Sequence, residues 1–187
     1  MSVMPFDELN TLKDTIGIHF DEEGRIRSRE DCEDIIDEML DLFLLAYANG
    51  QEQTNEDLNS DIKAPLEDVM STINREIDGL TWEDRVWKHF EEGGTQADIV
   101  RIAETETHRD SNEAAFKTAS KAGAQTKTWH CMMLDSSRES HVYLDNVSAP
   151  IDGLFYSING GSTLFPGEWG IAYEDCNCMC WLTYSKR

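Results

Sequence analysis

The chain has 187 residues, 40% of them hydrophobic, with 37 Asp and Glu against 16 Lys and Arg and a net charge of −21. Five Trp, five Tyr and seven Phe exclude a disordered composition, and the length suits one domain with a real core, or one domain plus a helical arm. No apolar run nears the roughly 18 residues of a membrane span, and nothing after Met1 reads as a secretory signal, so no membrane partner is expected.

Residues 1–27 are ambiguous. Gly24 interrupts them, and Arg25-Ile26-Arg27 alternates like a short strand. Ser28 followed by Asp31 opens a helix, with the acid at the positive end of the dipole. Ile35, Ile36, Met39, Leu42, Phe43 and Tyr47 carry it forward at spacings of three and four, and Gly50 is expected to stop it. Residues 51–60 read as a polar loop, and 50–60 as the candidate linker. A second helix starts near Pro65, shows Leu66, Val69, Met70, Ile73 and Ile77 on one stripe, and ends at Gly79. Thr81 with Asp84 opens a third, carrying Val86, Trp87 and Phe90 to Gly93-Gly94. Thr95 with Asp98 opens a fourth, which carries Ile99, Ile102 and Ala103 and extends towards Ala122, with Gly123 as its cap.

The character changes after Gly123. Lys127 to Leu134 has strand composition with apolar residues on both faces, and residues 136–144 hold about one helical turn. Residues 149–170 are rich in Gly, Pro and Ser and read as loop with short strands. Residues 176–184 read as a final strand whose Cys176, Cys178 and Cys180 share one face. The expected class is α+β: an acidic α-helical region over residues 1–94, then a small α+β domain over 95–187 with a few short strands.

Charge is unevenly spread. Residues 1–100 hold 26 of the acids and 8 of the bases, so the first half is a polyanion and the rest is near neutral. Affinity for phosphate comes from neutralising it with Lys and Arg, so direct nucleic-acid binding is not expected of residues 1–100. The plain reading is that these carboxylates keep a helical protein soluble. The sharper readings are docking onto a basic surface, or mimicry of DNA by an acidic inhibitor or anti-defence protein.

Three clusters hold the reactive side chains. Glu104, Glu106, His108 and Arg109 fall in one helical run, where the plain reading is a solvated face with an ion pair. Asp135, Arg138 and His141 fall in a second run, plainly read as a capped turn. Asn177, Cys178 and Cys180 form the third, plainly read as buried thiols beside Trp181. The five cysteines are odd in number, which argues against a disulfide framework. Together His108, His141, Cys178 and Cys180 supply two imidazoles and two thiolates, a tetrahedral set of the kind zinc takes, with His130 and Cys131 as rival ligands. A Cys–His pair would also serve a metal- or Cys-dependent hydrolase. There is no nucleophile elbow, HExxH, phosphate-cradling glycine loop or CxxC pair, so no catalytic residue is assigned and no enzyme is expected.

The order of these motifs resembles the C-terminal domain of phage Mu F-like minor head proteins, the phage head-morphogenesis domain. The matching positions are Thr105, Glu106 and Thr107; Lys127 and Trp129; Asp135, Arg138 and His141; Pro166, Gly167 and Glu168; and Asn177, Cys178 and Cys180. They span about residues 95–187. The family usually carries Arg or Lys between the two cysteines, where this chain has Met179, and Cys176 is extra. The resemblance implies a virion protein of few copies inside the head, made in the host cytoplasm during assembly. Its partners are implied to be the portal and inner capsid proteins, and its role head assembly or DNA delivery. Some relatives continue into a toxin domain; with seven residues after Cys180, none is expected here.

Overall fold

A computed structural model describes residues 6–77 and 79–187 of the chain. It is α+β, as expected. Helices α1 (Phe6–Ile16), α2 (Arg29–Leu58), α3 (Leu66–Ile73), α4 (Trp82–Glu92) and α5 (Gln96–Lys121) fill the first two thirds, with one short 3-10 turn at Gly17–His19. Strand β1 (Thr126–His130), helix α6 (Glu139–Val142), strands β2 (Ser148–Pro150), β3 (Phe155–Tyr156) and β4 (Ser162–Thr163), helix α7 (Ala172–Asp175) and strand β5 (Trp181–Ser185) complete it. β1 is central in an antiparallel sheet of order β2-β1-β5, and β3 pairs with β4. No described helix is long and apolar enough to cross a membrane.

The helix starts follow from local chemistry. Ser28 Oγ accepts the Asp31 amide, and Thr81 and Thr95 form reciprocal capping boxes with Asp84 and Asp98, each contributing about 1 kcal/mol. The helix ends differ from the pattern. α2 runs straight through Gly50 to Leu58, so residues 50–60 are mostly helix and not linker. Gly50 is there because α2 crosses α5 closely: a Cβ on it would sit 2.2 Å from the Ser111 carbonyl oxygen. Asn59 in the left-handed region (φ 48) ends α2, and the Asn55 side chain ties the turn to both the amide and carbonyl of Ile62. α3 ends at Ile73, short of Gly79, and Ile77 instead bridges Leu80.

Two large apolar clusters organise the described residues, with a small third one of Leu58, Ala119 and Ala124. The first joins α1, α2, α4 and the start of α5 through Ile16, Ile35, Met39, Phe43, Trp82, Val86 and Ile99, with Phe43 and Trp82 edge to face at 5.0 Å. Each such fully buried side chain stabilises the fold by about 1.5–3 kcal/mol. The second gathers Trp129, Leu144, Phe155, Phe165, Trp169, Cys178, Cys180 and Leu182, with Phe116 of α5 packed against it. α5 thus begins in one core and ends on the other.

The C-terminal strands also differ from their pattern. β1 alternates, burying Lys127 and Trp129 on one face, because its other face is covered only in part. The chain leaves the sheet at Cys131, and Met132, Met133 and Leu134 are exposed. Residues 176–180 form a loop between α7 and β5, not a strand: Asn177 is left-handed (φ 55), which breaks the extended run that the Cys spacing implies.

Candidate metal centre

α6 and the loop before β5 bring His141, Cys178 and Cys180 together. His141 Nδ1 lies 3.6 Å from Cys178 Sγ and 3.5 Å from Cys180 Sγ, and the three ligand atoms lie within 4.8 Å of one another. All three side chains are buried. The loop is fixed by backbone: Cys178 N–H donates to the Asp175 carbonyl, while the Asp175 carboxylate accepts the amides of Trp169 and Ile171. Arg138 donates to the Cys176 carbonyl and lies 5.5 Å over the Tyr173 ring. The His141 ring is held between Trp129, edge-on at 6.0 Å, and Trp169, stacked at 6.2 Å.

Behind His141 stands Glu174, which the sequence pattern did not single out. Its Oε2 is 3.1 Å from His141 Nε2, close enough for an ion pair although not aligned as a hydrogen bond. The carboxylate accepts from Ser140, Ser157 and Asn159 at 2.9, 2.7 and 3.2 Å. A carboxylate behind the imidazole is the usual support of a metal-ligating histidine, since it fixes ring orientation and raises basicity.

His108, the remaining residue of the sequence-read set, lies against Cys178 but outside the three-residue cluster. Its Nε2 is 2.5 Å from the Cys180 carbonyl oxygen, which also accepts from Asn112 Nδ2 at 3.1 Å. Of the rival ligands, Cys131 is buried beside the cluster. His130 stacks on Trp181 at 5.4 Å, on the opposite side of β1 from Trp129.

The electrostatics favour a cation at the centre. The hydrogen bond to Cys180 holds the Cys178 thiol well below its ordinary pKa; contacts with His108 and His141 add to this against the penalty of burial. The same hydrogen bond, with burial, pushes Cys180 far up. The pair therefore loses one proton readily and resists losing the second, because two negative sulfurs would lie side by side out of water. A metal ion removes that obstacle. Burial opposes the charging of His141, but the Cys178 hydrogen bond and charge, with Glu174 behind, raise its pKa. Burial likewise pushes Glu174 up, and its bonds from Ser157, Ser140 and Asn159 outweigh this and lower it. His141, Cys178 and Cys180 can hold a metal ion.

The other motif residues lie elsewhere, most of them on α5 or against it. Thr105, Glu106 and Thr107 are buried on α5. Glu106 pairs with Arg85 at 2.5 Å and with Arg109 at 2.7 Å. Pro166 and Gly167 are buried against the same helix: Gly167 (φ 90) sits where a Cβ would be 3.1 Å from Arg109 Cα. Glu168 lies 3.5 Å from Arg75, which also reaches Glu113. Lys127 Nζ donates to the Leu164 carbonyl at 2.8 Å and lies 4.8 Å over the Phe116 ring, and burial lowers its pKa to about 8. Asp135 is exposed on the turn before α6.

No protein-family model and no solved structure matches the chain. Two curated proteins are similar to it. One is the minor head protein GP7 of Bacillus phage SPP1, 35% identical over 85 residues, 44% of this chain and 28% of that protein. The other is the NAD(+)–arginine ADP-ribosyltransferase EFV of Enterococcus faecalis, 30% identical over 98 residues, 50% of this chain and 20% of that protein. The similarity thus spans about a quarter of the length of the curated relatives.

Proposed function

We propose that the chain is a non-enzymatic minor head protein of a tailed bacteriophage, whose C-terminal part folds around a zinc ion held by His141, Cys178 and Cys180. The similarity to the SPP1 minor head protein carries the first half of this reading. The Mu F-like motif order agrees with it. Neither relative's whole activity transfers, because the two bear different names and share with this chain only 28% and 20% of their lengths. Each shares with it a stretch of domain size, 85 and 98 residues. Two thiolates and an imidazole backed by a carboxylate suit zinc in preference to a harder cation.

The partners are the portal and inner capsid proteins, in the head interior. Packaged DNA gives a polyanion no favourable neighbour, so the acidic helices face protein, and a basic portal surface would speed and orient docking. Asp34, Asp37 and Asp41 of α2 are exposed. With all three changed to Lys, the protein should no longer co-purify with the portal encoded in the same phage genome. Retained co-purification at physiological salt would remove the docking model.

One observation favours a second reading. Cys178, His141 and Glu174 lie next to one another in the order of a nucleophile, a base and a carboxylate, the residue types of a Cys-dependent hydrolase. Against it, Nδ1 is as close to the Cys180 sulfur as to Cys178, which suits two ligands better than one nucleophile. Alkylation separates the two. A hydrolase thiolate reacts with iodoacetamide in the native protein, and a zinc-held pair is protected until a chelator is added.

A further inference from the structure

A zinc shell closed by protein has four ligands, and His141, Cys178 and Cys180 supply three. Two further side chains stand beside them: His108 of α5, and Cys131 just after β1. His108 is buried, with Nε2 2.5 Å from the Cys180 carbonyl oxygen. A carbonyl only accepts, so Nε2 carries the ring proton. Asn112 Nδ2 donates to the same oxygen at 3.1 Å and steadies it. The other ring nitrogen, Nδ1, hydrogen-bonds Cys178. Both imidazoles therefore meet one sulfur, His141 from α6 and His108 from α5.

This is how a metal-ligating histidine is held: one N–H fixed on a backbone carbonyl, the bare nitrogen turned to the centre. Once Cys178 is a thiolate, its sulfur and Nδ1 present lone pairs to the same point, and a cation there satisfies both. Ligand atoms of a zinc shell stand about 3.3–3.8 Å apart, given bonds of about 2.0–2.3 Å. His141 Nδ1 already keeps that spacing, at 3.6 and 3.5 Å from the two sulfurs. His108 lies outside that group, and a pivot of its ring about the Nε2–H···O bond carries Nδ1 inward. Charge decides between the rivals. Two thiolates, two imidazoles and Zn²⁺ sum to zero, whereas Cys131 as a third thiolate would leave a net negative charge among buried Trp129, Phe155 and Trp169.

We propose that His108 completes the shell through Nδ1, so that the centre is a closed structural one tying α5 to α6 and to the loop before β5. This rests on the metal reading above and adds the ligand that reading leaves open. α5 begins in the helical core, so the metal anchors the C-terminal core to the helix that both share. With no exchangeable position the centre holds structure and activates no water, in keeping with a non-enzymatic head protein.

The test uses the full chain loaded with Co²⁺ in place of zinc. The sulfur-to-cobalt charge-transfer band reports the metal reading, and the d–d bands report the fourth ligand. In the parent the d–d bands should be those of a tetrahedral ion and should not move with azide. His108→Gln puts an amide N–H near the place of Nε2–H, keeping a donor for the Cys180 carbonyl, but offers no nitrogen at the Nδ1 position. It should keep the charge-transfer band, shift the d–d bands, make them azide-sensitive, and weaken cobalt binding by more than about 100-fold, beyond the loss of an outer support. Cys131→Ser should leave both sets of bands as in the parent. Parental d–d bands in His108→Gln, or azide-sensitive bands in the parent, overturn the fourth ligand and leave the metal reading standing. The azide titration of the parent decides the matter even if His108→Gln does not fold. A charge-transfer band reduced by about a third in Cys131→Ser also overturns it, in favour of Cys131. Absence of the band from the parent overturns both readings.

Discussion

Gly50→Ala probes the crossing on which the whole arrangement rests. In an isolated helix this change stabilises by about 1 kcal/mol, because alanine loses less backbone entropy. Here the new Cβ would lie 2.2 Å from the Ser111 carbonyl oxygen and 3.0 Å from its Cα. Ordinary contact begins near 3.4 Å, so α2 and α5 must part by over 1 Å at this crossing. Separation loosens the α5 residues that carry Glu106, Arg109 and His108, all buried. Overpacking of this kind costs about 1–3 kcal/mol, and the Ser111 carbonyl, being helix backbone, cannot swing aside as a side chain would. The net expectation, at the upper end of that cost, is a loss of about 2 kcal/mol, or a Tm lower by roughly 4–8 °C for a chain of this size. Thermal unfolding followed by far-UV circular dichroism measures it, and Gly50→Ser should behave alike. A Tm that is unchanged or raised would refute the close approach and return Gly50 to the role of a helix stop.

Glu174→Gln keeps the size of the side chain but gives His141 Nε2 a neutral neighbour, and zinc affinity measured by chelator competition should fall about 10- to 100-fold. An affinity within twofold of the parent would mean that Glu174 only braces Ser140 and Ser157. Lys127 has a folded pKa of about 8, below its unfolded value of 10.5, so its charge opposes folding at low pH and the penalty fades as pH rises through that window. Relative to Lys127→Met, the parent should gain about 3 kcal/mol between pH 8 and 10.5 in urea unfolding, and parallel curves would contradict the buried ammonium. The three-Lys variant of α2 should also bind the portal with reversed salt dependence if any binding is left, since only exposed charges have changed.

What the sequence made legible was local. Ser28 with Asp31, Thr81 with Asp84 and Thr95 with Asp98 set helix starts, because a side chain three residues from its amide needs no tertiary help. His141, Cys178 and Cys180 were legible by residue type alone, since imidazole and thiolate are the side chains that suit a soft metal ion. Gly50 was misleading because its reason lies on α5, sixty-one residues away in Ser111. Glu174 was hidden among 37 acids, and only the fold shows that it is buried behind the imidazole. Cys176, Cys178 and Cys180 have strand spacing, but a left-handed Asn177 makes their segment a loop, and that turn lets two sulfurs face one histidine.

The central claim is a metal-built C-terminal core, and X-ray absorption at the zinc edge on chain purified without chelator tests it most directly. The account predicts one zinc per chain with two sulfurs near about 2.3 Å and at least one nitrogen near about 2.0 Å. Protein that is folded, free of zinc and unable to take it up, with Cys178 and Cys180 open to alkylation, would contradict it.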